Sequence, residues 1–376
     1  GGELALPAQA GGVKITRIHL EEDTANNKHT DSASLIDFNR AGVPLMELVT
    51  EPVIHSAEDA GKFGRELQTL LRTLGVSDAN MEKGEMRVEL NLSVSATEKF
   101  GTKVEVKNIN SFRAVEKAAK FEIERHIALL EEGRGNEIVQ ETRGWDENKE
   151  ITFSQRTKEN SEDYRYFPEP DLPKMYLHDV FDLDAMRKDL PELPWQKREK
   201  YTSLGIKSED VEVFVTDFEV GSFFEKVSSL LNDKEMMKKA SNYITTDLAG
   251  LRSAKSDFKM PEVEAFVSLI KMVGENKVNS RGAKDILAII CEEGGLSAQA
   301  GNPEEIAKEK GLLQESNTDA IKEIVQKVID ANQKVAEEYK SGNENVIKFL
   351  MGQVMKESKG SANPQVATEI LIELLK

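Results

Sequence analysis

The sequence predicts an α+β protein: an antiparallel-sheet domain with covering helices, followed by an all-helical domain and a small helical tail domain. Three observations carry this reading. Strand-period alternation is concentrated in the first half of the chain, helix-period stripes fill the second half, and the Leu-Pro steps at Leu190-Pro191 and Leu193-Pro194 mark the change. A chain of 376 residues exceeds one ordinary core, so the expected divisions are a sheet domain over 1–189, a helical domain over 190–304 and a helical tail over 305–376.

Taken in order, Gly1 to Gly12 is rich in Gly, Ala and Pro and reads as a loop. Val13, Ile15 and Ile18 then suggest a strand running into the carboxylates Glu21, Glu22 and Asp23, which suit either a Mg²⁺ ion or a solvated turn. His19, two residues before them, is expected to be a structural histidine. Asp37, Asn39 and Arg40 enter a second strand broken by Gly42 and Pro44, in which Glu47 interrupts an apolar run and therefore needs a partner or a metal. Ser56 to Gly75 reads as a capped helix with the stripe Phe63, Leu67, Leu70 and Leu74, expected to cover the back of the sheet.

The clearest strand signal lies between Glu85 and Asn110. Met86, Val88, Leu90, Leu92 and Val94 alternate with Arg87, Glu89, Asn91 and Ser93, and Val104 and Val106 alternate with Lys103, Glu105 and Lys107. A short connection ending at Gly101 makes these an antiparallel hairpin with one apolar and one polar face. The polar face has two readings: carboxylates and fixed cations for a metal and a polyphosphate, or cross-strand ion pairs in water. A second helix starts at Asn110 or Ser111 and stops at Gly133, with Phe112, Val115, Ala119, Ile123, His126 and Leu130 at helical spacing. Lys107 and Asn108 therefore stand at a strand-to-helix junction, where free N–H groups and the helix dipole favour an anion such as phosphate.

Between Gln140 and Pro173, arginines and aromatics interleave with acids, and three prolines keep the segment extended, as a wall of a site. Beyond it, helices are expected near Gln196–Leu204, Gly221–Asn232, Glu235–Ser253, Pro261–Val273, Ser280–Glu293, Pro303–Gly311, Asp319–Asn332 and Asn343–Glu357, with a last one from Pro364 capped by Asn363. In the Asn343–Glu357 helix, Lys348, Gly352 and Lys356, with Lys359 just beyond, share a face that suits an RNA backbone or ordinary solvent.

Composition excludes other classes. The chain has 39% hydrophobic residues and no uninterrupted apolar run of roughly 18 to 20 residues, so no membrane span is expected. A net charge of −17 argues against a broad field for nucleic acid, and DNA is not an expected partner. The single Cys291 excludes an internal disulfide framework and fits a reducing cytosol, giving an expected cytoplasmic location. The chain contains no P-loop GxxxxGK[ST], HExxH or CxxC, which removes the commonest nucleotide, zinc-protease and redox readings. It opens at Gly1 with neither Met nor a leader pattern, and a missing N-terminal segment is expected.

IHLEED, SLIDFNRAGVPLMELVTEP, VEVKNINSFRAVEKA, ETRGWD, DYRYFPEPDLP and FLMGQVMKESKGSANPQV occur in this order. Together they resemble the B subunit of the tRNA-dependent amidotransferase that converts Glu-tRNA(Gln) to Gln-tRNA(Gln). The resemblance implies a sheet-bearing cradle domain with an ATP- and Mg²⁺-dependent kinase site, then helical and tail domains that engage tRNA. It implies Glu22, Glu105 and Glu89 as catalytic metal ligands, with Glu21 and Glu47 as weaker candidates. Lys107, Asn108, Arg156 and Arg165 then serve the nucleotide phosphates, with Tyr166 beside them, and Lys348, Lys356 and Lys359 contact tRNA. Glu89 stands where the family generally has Asp, and a further hundred or so family residues, with a Gly-Leu-Glu-x-His motif, are expected upstream. The implied chemistry is phosphorylation of the glutamyl or aspartyl side-chain carboxylate on tRNA(Gln) or tRNA(Asn), then attack by ammonia. The chain carries no Ser-Ser-Lys amidase arrangement, so the ammonia source is expected to be a partner amidase, the A subunit, tied on by a small C subunit. The competing readings are a small-molecule ATP-dependent ligase and a non-catalytic tRNA-binding scaffold.

Overall fold

A computed structural model describes residues 2–6, 11–157, 174–256, 258–292, 302–314, 318–358 and 360–376, with backbone alone at 156 and 157. The chain divides into two units, Gly1–Gln196 and Lys197–Lys376.

In the first unit, Gly2–Ala5, read as loop, is a strand, β1, paired with β2 (Gly12–Glu22); the hairpin β3 (Asn26–His29) and β4 (Ser34–Asp37) and then β5 (Pro44–Thr50) follow. β2 lies between β1 and β5, antiparallel to both. Glu21 and Glu22 are the last two residues of β2, so the solvated-turn reading gives way to a strand end. A second sheet has the order β6 (Val88–Leu92), β7 (Val104–Ile109), β8 (Glu141–Asp146), β9 (Ile151–Thr157).

The expected hairpin is β6–β7, and its Val104 and Val106 are fully buried. The sheet departs from antiparallel pairing at one place: β7 and β8 run parallel. The cause is the intervening helix, which returns the chain to the end of the sheet where β7 began.

Two helices interrupt the strands: α1 (Ala57–Thr73), before β6, and α2 (Phe112–Glu131), between β7 and β8. Both start as the sequence requires, with Ser56 accepting from Asp59 N and Ser111 from Ala114 N. α2 covers the sheet: Ala114, Val115 and Ala118 share a core with Val104, Val106, Ile109, Ile138 and Trp145. α1 does not cover the sheet as expected but packs on α2. Its most buried residues include Gly61 and Gly64 rather than the Phe63–Leu74 stripe, and a Cβ at position 64 would lie 2.8 Å from the Phe112 ring. The absent side chains allow the two helices to approach closely.

Short helices α3 (Leu177–Val180) and α4 (Leu183–Lys188) close the first unit, which α5 (Pro194–Ser203) straddles. The second unit continues with α6 (Ser208–Thr216), α7 (Phe218–Leu230), α8 (Lys234–Asn242), α9 (Ala249–Ala254), α10 (Val263–Gly274), α11 (Ser280–Glu292) and α12 (Pro303–Glu309). The helix expected over Glu235–Ser253 is interrupted by a π-helical turn at Tyr243–Leu248. These helices share one core, centred on the stacked rings of Phe214 and Phe224 and on Phe266, Leu269 and Leu287.

A second core in the same unit joins α13 (Thr318–Ala331), α14 (Gln333–Lys340), α15 (Ile347–Glu357) and α16 (Pro364–Leu375) through Ile321, Val325, Leu350, Val354 and Leu371. Helices α6 and α14 escape the sequence reading because each is short and closely flanked by another helix. Among the described residues no helix is long and apolar enough to cross a membrane.

Candidate functional site

The outer face of the second sheet is built by register. Asn91 and Thr142 both stand opposite Glu105, one on each neighbouring strand, so all three share a face. Val88 pairs with Ile109 and Leu90 with Val106, which leaves Lys107 and Asn108 together facing the single residue Glu89. That is a β-bulge, and Asn108 takes the left-handed conformation (φ +63°) that asparagine tolerates better than most side chains.

Alternation from Glu105 puts Lys107 on the polar face, and the bulge after it returns Ile109 to the buried face. The Lys107 Nζ lies 3.1 Å from Glu89 Oε1 and 3.6 Å from Glu105 Oε1, so one ammonium bridges two carboxylates. Glu105 is only 8% exposed and accepts a 2.7 Å hydrogen bond at Oε2 from Thr142 Oγ1. The side chains of Glu89 and Lys107 are 44% and 32% exposed, so the group opens to solvent on one side. Backbone register sets Arg156 opposite Thr142.

The structure therefore brings Glu89, Glu105 and Lys107 together. Asn108 is exposed at the strand end, three residues before the Ser111 cap. Glu22 belongs to the other sheet, paired across from Pro44. Among the described residues, the one group of three candidate ligands closing to within 4.8 Å is His19, Glu21 and Glu47, not Glu22, Glu89 and Glu105. His19 faces Glu47 across β2 and β5, and Arg17 Nη2 bonds Glu47 Oε1 at 3.0 Å. Arg40 ties this region to the start of β6: its Nε donates to Asp23 Oδ2 at 2.7 Å and its Nη1 to Gly84 O at 3.4 Å. The Arg40 hydrogen bond lowers the Asp23 carboxyl below its ordinary pKa. On α15, Lys348, Gly352 and Lys356 are exposed on one face, as the spacing requires, with nothing within 4 Å of a Cβ built on Gly352. Arg165, Tyr166 and Lys359 lie outside the described residues.

Sequence reasoning missed a polar network on the opposite face of the sheet. Glu122 of α2 is fully buried. It accepts from Arg125 Nη2 at 2.7 Å and from Thr152 Oγ1, and it pairs with Arg143 Nε at 3.1 Å. Arg143 in turn donates to Glu141 Oε1 at 2.6 Å, and Ser154 Oγ donates to the other Glu141 oxygen. Buried His126 places Nε2 3.4 Å from Glu122 Oε2 without hydrogen-bond alignment. Burial pushes the Glu122 carboxyl up, but the facing imidazole, the Arg125 guanidinium and the Thr152 hydroxyl outweigh it and hold the pKa at about 2. A readable signal existed: Glu122 falls on the Val115, Ala119, His126 stripe, where a charge needs a partner.

The comparisons with known proteins agree with one another. Residues 1–181 match the family described as GatB/GatE catalytic domain, and residues 222–375 match the GatB domain family. The chain is 42% identical over 370 residues to the aspartyl/glutamyl-tRNA(Asn/Gln) amidotransferase B subunit of Persephonella marina, covering 97% of this chain and 76% of that one. A B subunit from Clostridium acetobutylicum is 39% identical over 100% of this chain and 78% of its own length. The chloroplastic/mitochondrial glutamyl-tRNA(Gln) amidotransferase B subunit of Sorghum bicolor is 40% identical, over 99% and 68%. With family models matching both halves and relatives aligned along nearly all of this chain, the chain belongs to the family of tRNA-dependent amidotransferase B subunits.

Proposed function

We propose that this chain activates the side-chain carboxylate of glutamate or aspartate mischarged on tRNA(Gln) or tRNA(Asn), and that the outer face of the second sheet is where it does so. The observation that carries the reading is the Glu89–Lys107–Glu105 group: two carboxylates and one fixed cation on a rigid strand pair beside a helix start. A pair of carboxylates open to solvent on one side suits Mg²⁺, which takes one or two carboxylates and completes its shell with water and phosphate oxygens. The His19, Glu21 and Glu47 group fits that ion less well, because it includes a nitrogen donor and Arg17 already holds Glu47. The reading therefore rests on Glu89 and Glu105, with Glu22 outside the group.

Glu89 and Glu105 would hold Mg²⁺, which with ATP would supply charge neutralisation and the phosphoryl group that turns one carboxylate oxygen into part of a phosphate, released when ammonia attacks the carbon. The chain's own residues orient and exclude. Glu105, held at one oxygen by Thr142, presents the other beside Lys107. Lys107 is poised to exchange its carboxylate contacts for a phosphate. Arg156 stands opposite Thr142 in backbone register. Exposed Lys348 and Lys356 on α15 meet the RNA backbone, with Gly352 between them leaving room for it. The ammonia comes from a partner amidase, the A subunit, and a small C subunit joins the two in the assembly. Cys291, whose thiol is pushed up to about 11 by burial, is inert at neutral pH, in keeping with a supply from elsewhere and with a cytoplasmic setting.

The test uses the assembled complex with ATP, Mg²⁺, Glu-tRNA(Gln) and ammonium chloride in place of glutamine, following Gln-tRNA formation. Product is expected only with ATP, and Glu105→Gln is expected to lower the rate by about a hundredfold or more, the scale of losing one charge-stabilising group. Full activity in that variant would remove the sheet from the reaction.

A further inference from the structure

We propose that Thr142 is a positioning residue for the carboxylate activation: its hydroxyl fixes the orientation of Glu105 so that Oε1 is the oxygen presented to Lys107 and the reacting groups. The inference rests on the reading of the Glu105 face given above.

Three observations carry it. First, Thr142 is 2% exposed and its Oγ1 donates to Glu105 Oε2 at 2.7 Å. A buried hydroxyl needs an acceptor, and a bond to a charged oxygen is stronger than most. Second, the parallel register sets Thr142 directly beside Glu105, and with Oε2 held by this bond, Oε1 stands 3.6 Å from Lys107 Nζ. Third, the strand that carries Thr142 is fastened from beneath. Its next residue, Arg143, reaches the opposite face and pairs with the buried carboxylates Glu122 and Glu141. An anchor on one side and an aimed hydroxyl on the other make β8 a bracket for Glu105. A glutamate side chain has three rotatable bonds, and nothing in β-sheet geometry alone would select one orientation of its carboxylate.

The experiment uses the assembled complex with ammonium chloride as nitrogen donor and compares wild type, Thr142→Val, Thr142→Ser, Glu105→Gln and the Thr142→Val/Glu105→Gln double variant. Thr142→Val keeps the branched shape without the hydroxyl and is expected to lower kcat about tenfold to a hundredfold. The KM for Glu-tRNA(Gln) is expected to stay within about twofold, since the contact acts on chemistry rather than on tRNA binding. Thr142→Ser restores the hydroxyl and is expected to stay within about threefold of wild type. In the Glu105→Gln background, Thr142→Val is expected to change the rate by less than about twofold, because the two residues act as one unit. As a readout apart from turnover, Mn²⁺ alone is titrated against the complex by electron paramagnetic resonance, and Thr142→Val is expected to weaken its binding about tenfold.

A wild-type rate in Thr142→Val, an equal loss in Thr142→Ser, or effects that multiply in the double variant would overturn the proposal. If Thr142→Val does not fold, Thr142→Ala carries the same test. Inactive Glu105→Gln beside fully active Thr142→Val would remove the positioning role alone, whereas fully active Glu105→Gln would remove the site itself.

Discussion

The two faces of the second sheet carry the same kinds of residue and put them to different use. Beneath the sheet, Glu122 is sealed from solvent between Arg125 and Arg143, with Thr152 on one of its oxygens. Above it, the Lys107 ammonium lies within ion-pair distance of both Glu89 and Glu105, and two of these three side chains are partly open to water. A carboxylate closed in by guanidinium forks has little freedom to exchange partners. A carboxylate sharing one flexible lysine can trade that cation for another, which is what a binding face requires. The lesson is that the number of charges on a surface says less than whether each is already committed.

This contrast makes ordered expectations. The largest effect is expected beneath the sheet: Glu122→Gln takes from Arg125 its anion and from Arg143 one of its two, and is expected to cost about 3–5 kcal/mol of stability, read by chemical denaturation. The pH dependence has a definite sign. Glu122 has a folded pKa of about 2, below its ordinary 4.5, so its contribution is complete above about pH 4.5 and is lost as pH falls towards 2. Wild type should therefore lose stability across that window, and Glu122→Gln should lose less. Equal acid slopes in the two proteins would break the contrast.

The next effect is expected above the sheet and in a different observable. Lys107→Met is expected to lower amidation about a hundredfold. Its unfolding midpoint is expected to correspond to less than about 1 kcal/mol, because the ion pairs it makes are partly solvated. A large loss of stability would mean that the upper face is structural after all. The smallest effect is expected for Glu89→Gln, whose stability should stay within about 0.5 kcal/mol of wild type, read in the same denaturation experiment.

Much of the upper face was legible in the sequence, because period-2 alternation states directly which residues share a side. Glu89, Glu105 and Lys107 were grouped by that rule, and their ion pairs follow from it. The bulge was not legible, since no residue type announces that Lys107 and Asn108 will oppose one residue rather than two. Nor was the parallel pairing, for the ETRGWD stretch was read as a wall rather than as a strand beside β7. Glu122 and His126 were hidden for another reason. Helical spacing was read for apolar stripes, and a charge lying on the stripe was passed over although burial forces it to find partners. Glu22 shows the limit of motif order: it precedes Glu89 and Glu105 in a recognisable series, yet it belongs to a separate sheet.

The parallel pairing of β7 and β8 also gives the two halves of the upper face very different loop-closure costs. A hairpin such as β6–β7 needs only a short connection, so Glu89, Glu105 and Lys107 can meet early and locally. Thr142 lies 37 positions beyond Glu105, so laying β8 alongside β7 closes a far longer stretch of chain than the hairpin does. The contact between Thr142 and Glu105 therefore depends on a more distant closure of the chain than the pairing of Glu89 with Lys107 does.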